Sequence, residues 1–337
     1  MASYAIGYDV GSSSVKAALV RVDDGATMIV VQYPETEMRI TSPQPGWAEQ
    51  DPEDWWQALC AATHQLLERS GVAPRQIASI GLAYQMHGLV LVDTDGKPVR
   101  PAIIWCDSRA VETGDQALRA MGAEYCFGHL LNSPGNFTAA RLKWVIDHEP
   151  EIYQQAQYLL LPGDFLALRL TGTACTTISG LSEAILWDFA GHRVAQRALD
   201  YFGIDPQKVP PLTDTFGQQG VLSRQGAEAT GLMAGTPLTY RAGDQPNNAM
   251  SLGVVHAGEV AATGGTSGVI YGVADRLISD PESRVNSFAH VTHTVTDPRI
   301  GMLLCINGAG IEHAWMKHHV AHPGATYEEM ERAMQSV

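Results

Sequence analysis

The chain has 337 residues, 45% hydrophobic and 17% charged, a balance that is typical of a folded globular protein and excludes extended disorder. Its formal net charge is −14, which disfavours a nucleic-acid-binding protein, since those bind phosphates through clustered lysine and arginine. The five cysteines are scattered and predict no disulfide framework. The sequence contains neither a signal-peptide pattern nor an apolar run long enough to span a bilayer, so we expect a cytoplasmic protein without a membrane partner.

The first hundred residues predict strands joined by turns, with one helix. Strand-like segments cover residues 4–9, 15–22 and 27–38, and glycine and serine at 11–14 predict a hairpin between the first two. A helix is predicted from Asp51, which suits the N-cap before Pro52, and apolar residues follow at helical spacing. Two more strands are predicted at 77–83 and 89–93.

The remainder predicts helices first and then a second sheet. Residues 109–170 are predicted to be mostly helical, and residues 203–237, rich in glycine and proline, to be irregular. A strand at 238–242 and a short helix at 248–252 follow. Strands at 259–263, 269–273 and 302–306 predict the second sheet, and the segment after Gly310 is predicted to be helical.

One short pattern occurs twice. Gly-Ser-Ser-Ser-Val at residues 11–15 recurs as Gly-Thr-Ser-Gly-Val at 265–269, each time between strand-like segments. Turns of this composition let backbone N–H groups and hydroxyls approach phosphate oxygens, so two copies facing across a cleft would hold a polyphosphate from both sides. Either copy alone is a weak signal that more often indicates an ordinary turn, and only the two matching copies together favour phosphate binding as much as a simple turn. No P-loop motif and no dinucleotide-binding motif is found, which disfavours those two nucleotide-binding classes.

Several segments, taken in chain order, resemble the FGGY carbohydrate kinases and especially the xylulose kinases among them. The matching segments are residues 8–16, 45–52, Gln-Met-His-Gly at 85–88, and residues 104–109, 161–165, 242–244 and 264–268. The resemblance implies an α/β protein with two RNase H-like domains of the actin-like ATPase type flanking a cleft. It implies an N-terminal domain over residues 1–253 and the start of a C-terminal domain, left incomplete, over residues 254–337.

The resemblance also implies ATP-dependent phosphorylation of a ketose, first of all D-xylulose to D-xylulose 5-phosphate, with Mg²⁺. Asp244 would be the general base that accepts the proton of the sugar hydroxyl, and Asp9 would hold Mg²⁺ through water. The sugar would contact Met86, His87, Asp244, Asn247 and Asn248. The phosphates of ATP would bind the two hairpins through Gly11, Ser12, Ser13, Ser14, Lys16, Gly264, Gly265, Thr266, Ser267 and Gly268.

Other interpretations stay open at this point. Gln245 and Pro246 separate Asp244 from the two asparagines, so the sequence does not decide which amide contacts the sugar. Family members continue beyond this chain into an adenosine site, so a truncated kinase or a non-catalytic sugar-binding fragment is an alternative, as are a ribulose, glycerol or other polyol kinase, an actin-like filament protein, and a homodimer. Outside the site, Trp47 is predicted to pack and Asp107 to pair with Arg109.

Overall fold

The computed structural model of the chain describes residues 2–264, 268–306, 309–322 and 324–335. In chain order, the strands are β1 (Tyr4–Val10), β2 (Val15–Arg21), β3 (Thr27–Tyr33), β4 (Glu49–Gln50), β5 (Ile77–Tyr84), β6 (Val90–Val92), β7 (Ala102–Ile103), β8 (Tyr158–Leu160), β9 (Thr176–Thr177), β10 (Trp187–Asp188), β11 (Arg193–Val194), β12 (Leu212–Thr213), β13 (Phe216–Val221), β14 (Pro237–Gly243), β15 (Val260–Gly264), β16 (Gly268–Ala274), β17 (Asn286–Ala289) and β18 (Ile300–Ile306). The helices are α1 (Pro52–Ser70), α2 (Val111–Met121), α3 (Ala123–Tyr125), α4 (Thr138–His148), α5 (Pro150–Gln155), α6 (Pro162–Thr171), α7 (Ile178–Glu183), α8 (Gln196–Phe202), α9 (Arg224–Thr230), α10 (Asp244–Ser251), α11 (Ala309–His319) and α12 (Tyr327–Met334).

The larger sheet has six strands in the order β13-β14-β5-β1-β2-β3. β1, β2 and β3 form an antiparallel meander, while β5 and β14 run parallel to β1. The three parallel strands end in register, with Val10 beside Tyr84 and Tyr84 beside Gly243. The segments that follow these three strands therefore emerge at one edge of the sheet.

Helix α1 covers one face of this sheet, and its two ends are fixed by residues that suit a helix start and a helix end. The Asp51 side chain accepts a hydrogen bond from the Glu53 N–H at 2.9 Å, and the helix ends at Gly71 with φ of 66°, a conformation that favours glycine. Trp55 and Leu59 are fully buried against the sheet. Burying a large apolar side chain stabilises the fold by about 1.5–3 kcal/mol. Helices α6 and α9 lie beside α1.

The second sheet is antiparallel, with the strand order β15-β16-β18-β17. Its strand β17 packs against the N-terminal part of the chain. The Asn132 side chain hydrogen-bonds to both backbone groups of Ser287, at 2.5 and 2.9 Å. On α7, the Ser179 hydroxyl donates to the Ala289 carbonyl at 3.1 Å, and the Ser182 hydroxyl accepts from the Ala289 N–H at 3.0 Å.

Most predicted elements are confirmed, and the errors have physical causes. The segment predicted as helical contains strand β8, and the segment predicted as irregular contains strand β13 and helix α9. β13 lies at the exposed edge of the sheet and includes Gly217 and Gly220, so it lacks the alternation of apolar residues that identifies a strand. Helix α10 begins at Asp244 rather than at Asn248. The domain boundary after residue 253 stays a prediction.

Candidate active site

The hairpin after β1 and the loop after β5 are joined by a chain of amide hydrogen bonds. The Gln85 N–H donates to the Val10 carbonyl at 2.8 Å. Between the two segments, Gln50 donates through Nε2 to the Ser12 carbonyl at 2.7 Å and accepts through Oε1 from Gln85 Nε2 at 3.2 Å. The hairpin and the loop are therefore held in a fixed relation at the edge of the sheet.

The carbonyl groups of the first hairpin are hydrogen-bonded to other protein groups. The Gly11 N–H donates to the Ser14 carbonyl at 3.0 Å, and the Ser13 carbonyl accepts from the Met38 N–H at 2.8 Å. Among the described residues, none accepts a hydrogen bond from the N–H of Ser12 or Ser13. Consecutive N–H groups of this kind form an anion-binding concavity. The hairpin therefore has the geometry expected for binding phosphate.

Two carboxylates lie at the same edge. Asp9 is 48% exposed on β1, and its Oδ2 is 3.6 Å from Lys16 Nζ on β2. Asp244 is the first residue of α10, directly after β14. The pKa of Asp244 is raised to about 7, chiefly by burial and also by the negative charge of Asp9, while hydrogen bonds from Gln245 oppose the rise. Asp244 is therefore close enough to Asp9 for the two charges to repel, and it can take up or release a proton near neutral pH.

The exposed carboxylate of Asp9 fits a magnesium ion that is shared with a ligand. Mg²⁺ is usually held by one or two carboxylates, with water and substrate phosphates completing the shell. In the part of the chain that the structure describes, no group of three or more histidine, cysteine, aspartate or glutamate side chains could hold a metal ion by itself. The carboxylate of Asp9 thus suits a metal that arrives with phosphate and water.

His87 has an unusual backbone conformation that its neighbours maintain. Its φ is 63°, in the left-handed region that residues other than glycine seldom adopt. The carbonyl of His87 accepts from the Arg141 guanidinium and from Thr138 Oγ1, the latter at 3.1 Å. The N–H of His87 donates to Glu183 Oε2 at 3.0 Å. Such strain persists only where the surroundings fix it, and it is concentrated at functional sites.

The His87 ring is neutral and mostly buried. The pKa of His87 is lowered to about 3, chiefly by burial and also by the nearby charge of Arg141. The ring lies edge-on to Phe137 with 4.8 Å between centroids, and 5.2 Å from the ring of Phe288 on β17. Nδ1 lies 3.1 Å from the Glu183 carbonyl oxygen. The His87 ring is thus in contact with Phe137 from the N-terminal part of the chain and with Phe288 from the second sheet.

Glycines allow the close packing around Met86. A Cβ atom on Gly243 would lie 2.5 Å from Met86 Cγ, and one on Gly88 would lie 2.6 Å from Pro162 Cγ. Contacts below 3 Å force a neighbour to move, so a larger residue at either position would displace Met86 or Pro162. Met86 is buried against the residue that precedes Asp244, which brings the loop after β5 next to the start of α10.

Glu183 is the site residue that sequence reasoning missed. The residue is 1% exposed, and Oε1 accepts a hydrogen bond from Tyr84 Oη at 2.6 Å. The pKa of Glu183 is raised to about 8, chiefly by burial, although the hydrogen bonds from Tyr84 and His87 act in the opposite direction. A chain separation of 96 residues divides Glu183 from His87. No local sequence pattern could have indicated this contact.

The remaining predicted residues differ in position. Asn247 is half-buried and Asn248 is exposed, both on α10. Gly264 and Gly268 pair with each other at the ends of β15 and β16, as a hairpin between these strands requires. Gly265, Thr266 and Ser267 lie outside the described residues.

Two predictions away from the site are confirmed. Arg109 Nη2 lies 2.7 Å from Asp107 Oδ2 in a buried ion pair. The Arg109 guanidinium also lies 3.8 Å from the ring centroid of Trp47, so this tryptophan packs within the fold.

Comparison with known proteins identifies the family. Residues 4–251 match the N-terminal domain of the FGGY family of carbohydrate kinases. The chain belongs to the FGGY family. It is similar to the xylulose kinase of Escherichia coli (strain K12), with 36% identity over 286 residues, which cover 85% of this chain and 57% of that protein. The FGGY chain described here thus spans little more than half the length of this curated relative.

Solved structures confirm the fold of this FGGY chain. It superposes on the crystal structure of xylulose kinase from Rhodospirillum rubrum with a TM-score of 0.87 and 25% identity, covering 99% of this chain and 67% of that one. It superposes on gluconate kinase from Lactobacillus acidophilus with a TM-score of 0.89 and 20% identity, covering 100% and 66%. The expected α/β architecture with RNase H-like, actin-like domains is therefore confirmed, with a second domain shorter than in those chains. None of the described helices is both long and apolar enough to cross a membrane.

Proposed function

We propose that the site phosphorylates a ketose at the expense of ATP, with D-xylulose as the first substrate to test. The observation that carries the proposal is the position of Asp244. It lies beside a hairpin suited to phosphate and beside the His87 loop, and its pKa is raised to about 7 by burial and by Asp9. The similarity to proteins named xylulose kinase supports the choice of sugar.

In the proposed reaction, Asp244 accepts the proton of the sugar hydroxyl. The hydroxyl oxygen forms a bond to the γ-phosphorus of ATP, the bond from that phosphorus to the bridging oxygen breaks, and ADP leaves with the electron pair. The proton on Asp244 then passes to solvent. A general base works best when its pKa is near the working pH, because a substantial fraction of it is then ionised and the ionised form is still basic.

Binding residues complete the proposal. Met86, His87, Asn247 and Asn248 would contact the sugar, and Lys16 would contact ATP phosphates. The N–H groups of the first hairpin would bind phosphate oxygens, opposed by the second hairpin at Gly264, Gly265, Thr266, Ser267 and Gly268. Mg²⁺, held through Asp9 and water, would draw negative charge from the phosphate oxygens when bound. Transfer reactions of this kind depend mainly on positioning and charge neutralisation.

The test is sugar-dependent ADP release with Mg-ATP by the purified chain, with D-xylulose, ribulose and glycerol as acceptors. Asp244→Asn keeps the shape of the side chain but cannot take up the proton. We expect it to bind sugar normally and to lose turnover by about 10²–10⁴-fold. Asp95→Asn, in an exposed turn, is the matched control and should leave turnover unchanged.

Each result has a distinct meaning. Turnover by Asp244→Asn close to that of the unchanged chain would show that Asp244 is not the base. Sugar binding by calorimetry without any ADP release would favour the alternative of a sugar-binding fragment. Selectivity for ribulose or glycerol would assign a different acceptor to the same chemistry. Light scattering during chromatography of the same samples would test for the homodimer.

A further inference from the structure

Glu183 and Tyr84 form a buried hydrogen-bonded pair beside the His87 loop. Glu183 ends α7 and Tyr84 ends β5, so the pair joins the edge of the larger sheet to a helix that follows it by almost a hundred residues. Both carboxyl oxygens have partners: Oε1 accepts from Tyr84 Oη at 2.6 Å, and Oε2 accepts from the His87 N–H at 3.0 Å. Burying a carboxyl group is costly unless hydrogen bonds compensate for the lost water. One of the two compensating hydrogen bonds comes from His87, a residue of the candidate site.

We propose that Glu183, supported by Tyr84, is a positioning residue that holds His87 as an acceptor for one sugar hydroxyl, and thereby helps to determine which sugars bind. The effect on sugar selectivity rests on the proposed function, because it requires that the site bind a sugar. The positioning of His87 by Glu183 does not, and it can be measured without any sugar.

The backbone of His87 supplies the first step. A residue with a side chain seldom keeps a φ of 63° unless hydrogen bonds on both sides of it are fixed. Thr138 and Arg141 bind the carbonyl of His87, and the Glu183 carboxyl binds its N–H. Removal of that carboxyl would leave a buried N–H without a partner, which favours a relaxed loop.

The tautomer of the ring supplies the second step. A carbonyl oxygen only accepts hydrogen bonds, so the 3.1 Å contact between His87 Nδ1 and the Glu183 carbonyl places the proton on Nδ1. Nε2 then carries a lone pair. No hydrogen bond joins Nε2 to any other residue that the structure describes. In this orientation His87 can accept a hydrogen bond from a hydroxyl, and a ligand lacking that hydroxyl would leave Nε2 unpaired.

The supporting tyrosine is itself held in place. A Cβ atom on Gly163 of α6 would lie 2.1 Å from Tyr84 Cδ1, so the tyrosine ring occupies the space that a side chain at residue 163 would need. The ring therefore has little room to turn, and its hydroxyl stays at Glu183. The pKa of Glu183 is raised to about 8, chiefly by burial, so the carboxyl group is largely protonated at neutral pH. In that form the 2.6 Å contact with Tyr84 Oη runs from the carboxyl O–H to the tyrosine oxygen, the reverse of its direction when the carboxylate is charged.

A protonated carboxyl group and a primary amide have the same hydrogen-bonding capacity at this place. In Glu183→Gln the amide oxygen would accept from the His87 N–H, and the amide nitrogen would donate to Tyr84 Oη. Glu183→Gln should therefore preserve the position of His87, whereas Glu183→Ala should not. This difference separates positioning from a need for negative charge.

The sugar-binding experiment uses calorimetry with D-xylulose and the whole chain. We expect Glu183→Ala and Tyr84→Phe to weaken binding by about tenfold or more, and Glu183→Gln to change it by less than about threefold. Tyr8→Phe is the matched control: Tyr8 is also buried in the larger sheet, and its hydroxyl bonds to Thr63 Oγ1 at the same 2.6 Å. It should leave affinity unchanged. Equal effects of Tyr84→Phe and Tyr8→Phe on affinity would overturn the proposal.

Nuclear magnetic resonance of ¹⁵N-labelled histidine reads His87 directly, with His87→Ala to assign its signals. We expect the Nδ1–H tautomer in the unchanged chain and in Glu183→Gln, with no protonation above about pH 4. Glu183→Ala should show mixed tautomers and a pKa nearer the ordinary value. An unchanged His87 signal in Glu183→Ala would overturn the proposal even if sugar binds. Absence of sugar binding by the unchanged chain would instead refute the proposed function, and the resonance result would still decide the role of Glu183.

Discussion

Replacing Glu183 with glutamine tests the burial of this carboxyl group through stability alone. Its pKa is about 8 in the folded chain against an ordinary value of 4.5, because burial removes water from the charged form. The folded state therefore holds this proton more tightly than the unfolded state. The resulting contribution to the free energy of unfolding is fully present below about pH 4.5 and is lost as the pH rises through about 8.

The size of the effect follows from the separation of the two pKa values. One pKa unit corresponds to about 1.4 kcal/mol, so the contribution of Glu183 should fall by about 3–4 kcal/mol between about pH 5 and pH 8. Glutamine does not titrate and can make the same hydrogen bonds. The stability of Glu183→Gln relative to the unchanged chain should therefore rise by that amount over the same range.

Other buried groups also change stability with pH. The difference in free energy of unfolding between the two chains is therefore more informative than the pH dependence of either chain alone. Asp244, with its pKa raised to about 7, changes stability in the same direction as Glu183. His87, His290 and His293 act in the opposite direction, since burial lowers their pKa values to about 3, 4 and 4. Their unfolded forms bind protons more tightly, so they favour the folded state as the pH rises toward neutrality. Most of these contributions cancel when the two chains are compared.

Urea unfolding followed by tryptophan fluorescence at about pH 5, 6.5 and 8 would provide the measurement. The free energy of unfolding of Glu183→Gln minus that of the unchanged chain should increase by about 3–4 kcal/mol from about pH 5 to pH 8. A constant difference between them across this range would show that Glu183 titrates as an exposed glutamate does. The account of its burial given above would then be wrong.

Three further variants test the site and its surroundings. In Gly243→Ala the new Cβ must displace Met86, so urea unfolding should show a loss of about 1–3 kcal/mol and calorimetry a weaker sugar affinity. Arg109→Lys loses the contact with Trp47 and the two-pronged bond to Asp107, and should lower stability by about 3 kcal/mol without changing sugar affinity. Asp9→Asn removes a charge that raises the pKa of Asp244, so the acid limb of the pH–rate profile should move to lower pH, while activity should need more Mg²⁺. An unmoved acid limb would contradict the coupling of the two carboxylates.

Local patterns predicted the part of the site that follows the parallel strands. Apolar runs identify β1, β5 and β14, and turn chemistry identifies the hairpin at residues 11–14. Parallel strands of one sheet end at the same edge, so the residues that follow them meet there. That rule brings Asp9, His87 and Asp244 together, and the resemblance to a family indicated which of the many polar residues to examine.

The rest of the site depends on contacts between distant residues. Glu183 ends a short helix among apolar neighbours, and its sequence context is that of any buried helix end. Its role becomes visible only when Tyr84 and His87 are placed against it in space. Strand β13 was missed for a related reason, because its pairing with β14 is a tertiary contact and its own residues carry little strand propensity.

Helix α7 connects the His87 loop to the second sheet. Glu183 binds the N–H of His87. On the same helix, the adjacent Ser182 and Ser179, one turn earlier, bind the backbone of Ala289 in β17. Beside Ala289, Phe288 contacts the His87 ring directly. β17 pairs with β18, and β18 pairs with β16, which begins at the second hairpin. The strained backbone at His87 is therefore supported from both sheets, and its conformation depends on how the two parts of the chain are packed together.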